Sequence, residues 1–234
     1  VEGPDGLRPH LSPTPPASPT VEFHGDPSAG RALLLLPGYG DTAAVFSRRL
    51  HLIDPDHRWT VAIAEPATQG PDGPLWYTVG DDGPDAAGLS QAVDGIEAAL
   101  DTTSVRAGVA RDQIVLVGYS QGGAAALATL LDPTTGDPPL AVGVLAGYLA
   151  HRDADHLDLT RAAHRPVLVA HGTDDTMVET LRGRSAARVL HRHDASVTWS
   201  EAPGGHRLGR HLLAPLADWL ATLADGDRPA PSAP

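Results

Sequence analysis

One stretch constrains the fold more than any other: Ile114-Val115-Leu116-Val117-Gly118-Tyr119-Ser120-Gln121-Gly122-Gly123, followed by alanines and leucines to 131. An apolar run leads directly into G-x-S-x-G and then into small helix-forming residues. That pattern reads as a buried strand turning sharply into a helix, with the serine hydroxyl at the exposed tip of the turn. Gly118 and Gly122 leave room where the strand and helix backbones crowd together. Ser120 between them is forced into a strained conformation that an ordinary surface serine would not hold.

The rest of the chain alternates in the same way. Ala32-Leu33-Leu34-Leu35-Leu36, ending at Pro37-Gly38, reads as a central strand buried on both faces. A turn at Gly38-Tyr39-Gly40-Asp41, a helix over 42–52 and a strand over 59–64 follow. Residues 65–87 read as one long loop, longer than an ordinary connection and therefore a candidate for function. From 87 to about 108 an amphipathic helix is expected, with Leu89, Val93, Ile96, Ala99 and Leu100 on one face. Then come a strand over 113–118, a helix over 121–131, a strand over 142–146 and a polar, histidine-rich loop or small cap over 148–164. A strand over 166–170 ending in His171-Gly172, a helix over 178–192 and a short strand over 197–199 complete the pattern. A terminal helix over 208–223 is expected to kink near Pro215. Alternating strands and helices, with uniformly apolar strands, predict an α/β fold: a mostly parallel central sheet with helices on both faces.

The 234 residues suffice for one domain with a sizeable core. The 22 prolines gather toward the ends, with six between Pro4 and Pro19 and the closing run DGDRPAPSAP. The body is therefore expected over 21–224. Residues 1–20 are expected to form a loose or surface-strapped extension and 225–234 a disordered tail. With 17 basic against 29 acidic residues the net charge is −12, which disfavours nucleic acid and anionic membranes as partners. Zero cysteines exclude disulfides, thiolate nucleophiles and cysteine-based metal sites. No apolar run approaches 18 residues, so no membrane insertion is expected. A cytoplasmic location is expected, although lack of cysteine is equally compatible with secretion, and a chain opening on valine leaves a removed leader open.

A serine hydroxyl needs a histidine to take its proton, and the histidine needs an acid to hold its tautomer. With Ser120 as nucleophile, the acid candidates are Asp174 and Asp175, which lie just past a buried strand and are not separated by spacing. The base candidate is His206 in Pro203-Gly204-Gly205-His206. His151, His156, His164, His171, His191, His193 and His211 compete for that role, and His171 is read as shaping the acid loop from below. The order Ser, Asp, His is that of an α/β-hydrolase. The oxyanion hole should use the Gln121 N–H and a second N–H in the 38–40 turn, from Tyr39, each worth about 3 kcal/mol in the transition state. Trp76, Tyr77 and Met177 are candidates for lining a substrate pocket, with Trp76 packing the long loop onto the body as the alternative. Trp59, Trp199 and Trp219 read as core. The group His151, Asp153, Asp155, His156 and Asp158 lacks any ligand pattern and reads as a solvated loop, so no metal is expected.

These motifs together resemble the phospholipase/carboxylesterase branch of the α/β-hydrolases. LLLLPGYGD at 33–41 is similar to that family's oxyanion segment, with Pro37 where a histidine is usual. GYSQGG at 118–123 looks like its nucleophile motif, and LAGYL at 145–149 like its LSGYL strand end. HGTDDTMV at 171–178 looks like its acid motif, which selects Asp175. GGH at 204–206 matches its base position. The resemblance implies a cofactor-free serine carboxylesterase acting on short- to medium-chain carboxylic esters through an acyl-enzyme. Thioesterase, lysophospholipase and acyltransferase or cyclase chemistry on the same triad are its alternatives. A non-enzymatic binding protein is disfavoured, since all three triad candidates are present. The partner is then a small-molecule ester or thioester. Many family members dimerise, so a homodimer is an expectation supplied by the resemblance. Glu179, where the family often has proline, together with the acidic long loop, suggests a neutral or cationic substrate.

Overall fold

Leucines at four successive positions of one strand can all be buried only if the sheet is covered on both sides. The computed structural model, which describes residues 19–26, 29–81, 83–150 and 157–232, shows this arrangement. Its main strands are β1 (Thr20–His24), β2 (Ala32–Leu36) and β3 (Thr60–Glu65). Two small ribbons follow, β4 (Thr68–Gly70) with β5 (Gly73–Leu75) and β6 (Val79–Gly80) with β7 (Gly83–Pro84). The main sheet resumes with β8 (Ile114–Tyr119), β9 (Ala141–Leu145), β10 (Pro166–Gly172) and β11 (Ser196–Ala202). Its order is β1-β3-β2-β8-β9-β10-β11. β1 runs antiparallel to β3, and the other pairings in this sheet are parallel.

The helices are α1 (Ala44–Ser47), α2 (Leu50–Ile53), α3 (Ala86–Ala107), α4 (Gln121–Leu131), α5 (Thr180–Arg192) and α6 (Arg210–Ala224). Alternation along each strand sorts the core into two layers. Leu34, Leu36, Leu116, Val144 and Val169 pack with α3, α4 and α5. Leu33, Leu35, Val117, Leu168 and Ala170 pack with Phe46, Ile53 and the Leu212, Leu216 and Trp219 face of α6. Each fully buried leucine contributes about 1.5–3 kcal/mol relative to an exposed one.

The order of the sheet determines where a ligand can bind. From β2 the chain crosses one face through α1 and α2 to reach β3. From β8 it crosses the other face through α4 to reach β9. The connections therefore diverge between the adjacent strands β2 and β8, and a crevice opens at their carboxyl ends, the usual site in open α/β sheets. The Gly38–Asp41 turn and Ser120 lie at those two ends.

Several local expectations change. The helix expected over 42–52 is two single turns, α1 and α2, separated at Arg48-Arg49. The long loop over 65–87 contains the two ribbons, and α3 begins at Ala86, capped by Asp85, whose carboxylate accepts the Gly88 N–H at 2.8 Å. α3 ends at Gly108 in a left-handed conformation (φ 64°), where glycine carries no Cβ penalty. The short strand over 197–199 is a seven-residue edge strand, because parallel pairing with β10 runs in register from Ser196 to Ala202. α6 continues through Pro215.

The tail expected to be disordered is instead fastened to that edge over its described part. The Ser232 N–H donates to the Val197 carbonyl at 2.7 Å and its carbonyl accepts the Trp199 N–H at 3.0 Å. An exposed sheet edge offers unpaired backbone groups, and an extended proline-bearing segment can satisfy them from one side. Trp59 and Trp219 are buried, whereas Trp199 on the edge strand is only partly so. Of the extension expected over 1–20, residues 1–18 lie outside the described residues, and Thr20 already belongs to β1.

Candidate active site

Ser120 links β8 to α4 with φ 53° and ψ −118°, a conformation that L-residues rarely adopt. Its own N–H donates to the Leu145 carbonyl at 2.8 Å, and its carbonyl accepts the Ala124 N–H at 3.1 Å. A Cβ at Gly118 would collide with the Gly122 carbonyl, and one at Gly122 with the Leu36 and Pro37 carbonyls. The two glycines are required because strand, helix and oxyanion turn converge on one point.

Two further loops reach Ser120 from the carboxyl ends of β10 and β11, and they are bonded to each other. The Thr173 N–H donates to the Ala202 carbonyl (3.0 Å), the Asp174 N–H to the Gly204 carbonyl (2.9 Å), and the Gly204 N–H to Asp174 Oδ2 (3.1 Å). Asp174 thus ties the loops together, while the buried Asp175 faces the site. Asp175 Oδ1 accepts the N–H groups of Met177 and Val178 at 3.0 and 2.9 Å. Its Oδ2 lies 2.7 Å from His206 Nδ1, and His206 Nε2 lies 2.8 Å from Ser120 Oγ. The Tyr119 ring stacks on the imidazole, centroids 5.4 Å apart. A hydroxyl, an imidazole and a buried carboxylate in this sequence of contacts can move a proton from oxygen to nitrogen and hold the charge that results.

His171 lies beneath this line and outside it. Its Nε2 is 2.8 Å from the Val178 carbonyl, so that nitrogen is the donor, and it also lies 3.4 Å from Asp175 Oδ2. Its Nδ1 faces Gly183 of α5, where a Cβ would collide with the ring. Burial pushes its pKa below the usual histidine value, so the ring is neutral under the acid loop. Burial also raises Tyr119 well above an ordinary phenol and raises Asp41, which Arg49 and His206 partly offset.

The long loop is where the structure departs most from expectation. Trp76 and Tyr77 are buried, 4% and 1% exposed. The Trp76 indole N–H donates to the Pro37 carbonyl at 2.8 Å, and the Tyr77 hydroxyl pairs with that of Tyr148 at 3.0 Å. These rings anchor the loop because their polar tips find partners only when the aromatic bodies are packed. Met177, by contrast, is 77% exposed on the acid loop. Tyr39 stands on the turn after β2 with its side chain outward, its hydroxyl donating to Asp72 Oδ2 at 3.1 Å.

Sequence reasoning did not identify the Gln121 side chain. It is buried, with Oε1 accepting the Trp76 N–H at 2.9 Å and Nε2 donating to the Tyr77 carbonyl at 2.7 Å. A long polar side chain opening an otherwise small and apolar helix was the available signal. Of the histidine and aspartate group near 155, His151, Asp153, Asp155 and His156 lie outside the described residues. Asp158 caps a short 3-10 turn through Thr160. Among the described residues no group of three or more His, Asp or Glu side chains is placed to hold a metal ion, and no helix is long and apolar enough to cross a membrane.

Comparison with known proteins agrees with this geometry. The chain is 30% identical over 140 residues to the probable carboxylesterase SOBER1-like of Arabidopsis thaliana, covering 58% of this chain and 52% of that protein. It is 30% identical over 146 residues to carboxylesterase SOBER1 of the same plant, covering 61% and 62%. The match thus spans less than two thirds of either relative. The Bacillus cereus carboxylesterase superposes with a TM-score of 0.77 over 88% of this chain and 95% of that one at 19% identity, a likeness of fold. Residues 18–224 match the Phospholipase/Carboxylesterase family, and the chain belongs to that family of α/β-hydrolases.

Proposed function

We propose that the protein hydrolyses small carboxylic esters of short to medium acyl length through an acyl-enzyme on Ser120. The observation that carries this reading is the unbroken line from Ser120 Oγ through His206 to Asp175, with contacts of 2.8 and 2.7 Å. His206 Nε2 takes the hydroxyl proton as Oγ attacks the ester carbonyl. The carbonyl oxygen becomes an oxyanion held by the backbone N–H groups of Tyr39 and Gln121. The Gln121 amide suits this role because the first amides of a helix have no acceptor within it. His206 then gives its proton to the leaving alcohol. Water, deprotonated by His206, attacks the acyl-enzyme and releases the acid and free Ser120. Asp175 holds the imidazole with its proton on Nδ1 and stabilises the imidazolium.

Met177 is the apolar side chain we place at the mouth, since it is exposed two residues beyond Asp175. The test is intact-protein mass after a fluorophosphonate probe, with a p-nitrophenyl ester chain-length series alongside. We expect one adduct on Ser120, turnover highest at short or medium chains, and loss of nearly all turnover in folded Ser120→Ala. Retained esterase activity in that variant would overturn the assignment. Acyl-enzyme build-up with little hydrolysis would assign acyl transfer to another acceptor instead.

A further inference from the structure

The segment Pro74–Tyr77 touches both halves of the oxyanion site at once. On one side, the Trp76 indole N–H holds the Pro37 carbonyl at 2.8 Å, and the Pro74 carbonyl accepts the Gly40 N–H at 2.8 Å. These bonds fix the peptide before and the peptide after the Gly38–Tyr39 peptide, whose N–H is one proposed donor. Gly40 and Gly73 face each other here: a Cβ on either would crowd the backbone of the opposing turn. On the other side, the Gln121 side chain is held by the Trp76 N–H and the Tyr77 carbonyl at 2.9 and 2.7 Å. Gln121 supplies the second proposed donor from its own backbone.

We infer that Trp76 and the Gln121 side chain are positioning residues that set the spacing between the two oxyanion donors, using the 74–77 segment as a common brace. The inference rests on the oxyanion assignment above. The physical reason for a brace is that the donors come from different elements, the turn after β2 and the start of α4, which leave the sheet on opposite faces. Without a cross-link, each could relax separately. Donors that miss the developing oxyanion lose most of their value, whereas binding of the ground-state ester is little affected.

Trp76→Phe removes the indole N–H while keeping an aromatic body in the same place. We expect kcat to fall roughly ten- to a hundredfold with KM nearly unchanged. Affinity for an alkylboronic acid, which forms a tetrahedral adduct on Ser120 and places an oxygen in the hole, should fall by about the same factor as kcat/KM. A role confined to holding the fold would lower the unfolding temperature without that parallel. Gln121→Met, which keeps the length but removes both hydrogen bonds, decides the matter if Trp76→Phe does not fold. Either folded variant keeping kcat and boronate affinity within about twofold of the parent would overturn the inference. If Ser120→Ala is inactive at the same time, the esterase reading stands and only the brace is lost. Failure of the parent protein to turn over esters or bind the boronate removes both.

Discussion

Replacing Asp175 by asparagine isolates what the buried acid contributes, because the structure dictates which way the new amide must face. Asp175 Oδ1 accepts two backbone N–H groups, Met177 at 3.0 Å and Val178 at 2.9 Å, and Oδ2 faces His206 Nδ1 at 2.7 Å. An asparagine can keep the two backbone bonds only with its carbonyl oxygen in the Oδ1 position. Its NH₂ then points at His206 Nδ1 and donates to it, which places the imidazole proton on Nε2. In that tautomer Nε2 cannot accept the Ser120 proton. Turning the amide over would set an NH₂ against two N–H donors and strand both. At about 1–3 kcal/mol per stranded donor, the reversed amide is disfavoured by about 2–6 kcal/mol. With about 1.36 kcal/mol per decade, that is roughly a 30- to 3 × 10⁴-fold fall in the reactive population and in kcat. The assay is kcat on a short p-nitrophenyl ester, together with the rate of fluorophosphonate labelling, on protein whose circular dichroism matches the parent. Asp174→Asn serves as the comparison. Its carboxylate accepts the Gly204 N–H but does not contact His206, so its activity should fall far less. A folded Asp175→Asn within about tenfold of the parent would refute the assignment of the acid, and a larger loss in Asp174→Asn would move the role to that residue.

Two further outcomes follow from the packing. His171 has a depressed pKa, so below its ordinary value near 6.5 the unfolded chain binds a proton that the folded protein does not. Stability should therefore fall as pH drops from about 6.5 toward the folded pKa, by up to about 1.4 kcal/mol per pH unit from this group, with no contribution above that window. His171→Gln should unfold with a shallower pH slope in urea titrations run downward from about pH 6.5, and parallel slopes would show that His171 is not the group responsible. Truncation after Gly226 removes the bonds that Ala230 and Ser232 make to β11. The loss should be about 1–2 kcal/mol, or a few degrees in Tm, with kcat unchanged, as read by thermal unfolding and ester turnover; an unaltered Tm would mean that the tail does not hold the edge in solution.

The sequence by itself determined the features that are local in the chain. G-x-S-x-G after an apolar run implies a strand–turn–helix corner, since only glycine tolerates the crowding that Gly118 and Gly122 meet. Uniformly apolar runs such as Ala32–Leu36 and Pro166–Ala170 imply a sheet covered on both faces. The order of Ser120, Asp175 and His206, with their neighbours, was enough to name them as candidates. Tertiary structure decided whatever depends on partners distant in sequence. Spacing could not separate Asp174 from Asp175. The difference between them is that the first bonds across to Gly204 and the second is buried against His206. A tryptophan in a proline- and glycine-rich loop reads equally as a pocket wall or as an anchor. The Pro37 carbonyl, 39 residues away, makes Trp76 an anchor. The last strand looked three residues long because Ser200 and Glu201 are polar, yet pairing with β10 extends it to seven. The prolines of the C-terminal tail suggested disorder, but the unpaired edge of β11 gives that segment a place to bind. In each case the deciding term is a hydrogen bond or a burial between segments far apart in the chain, and neither composition nor periodicity encodes which partner completes it.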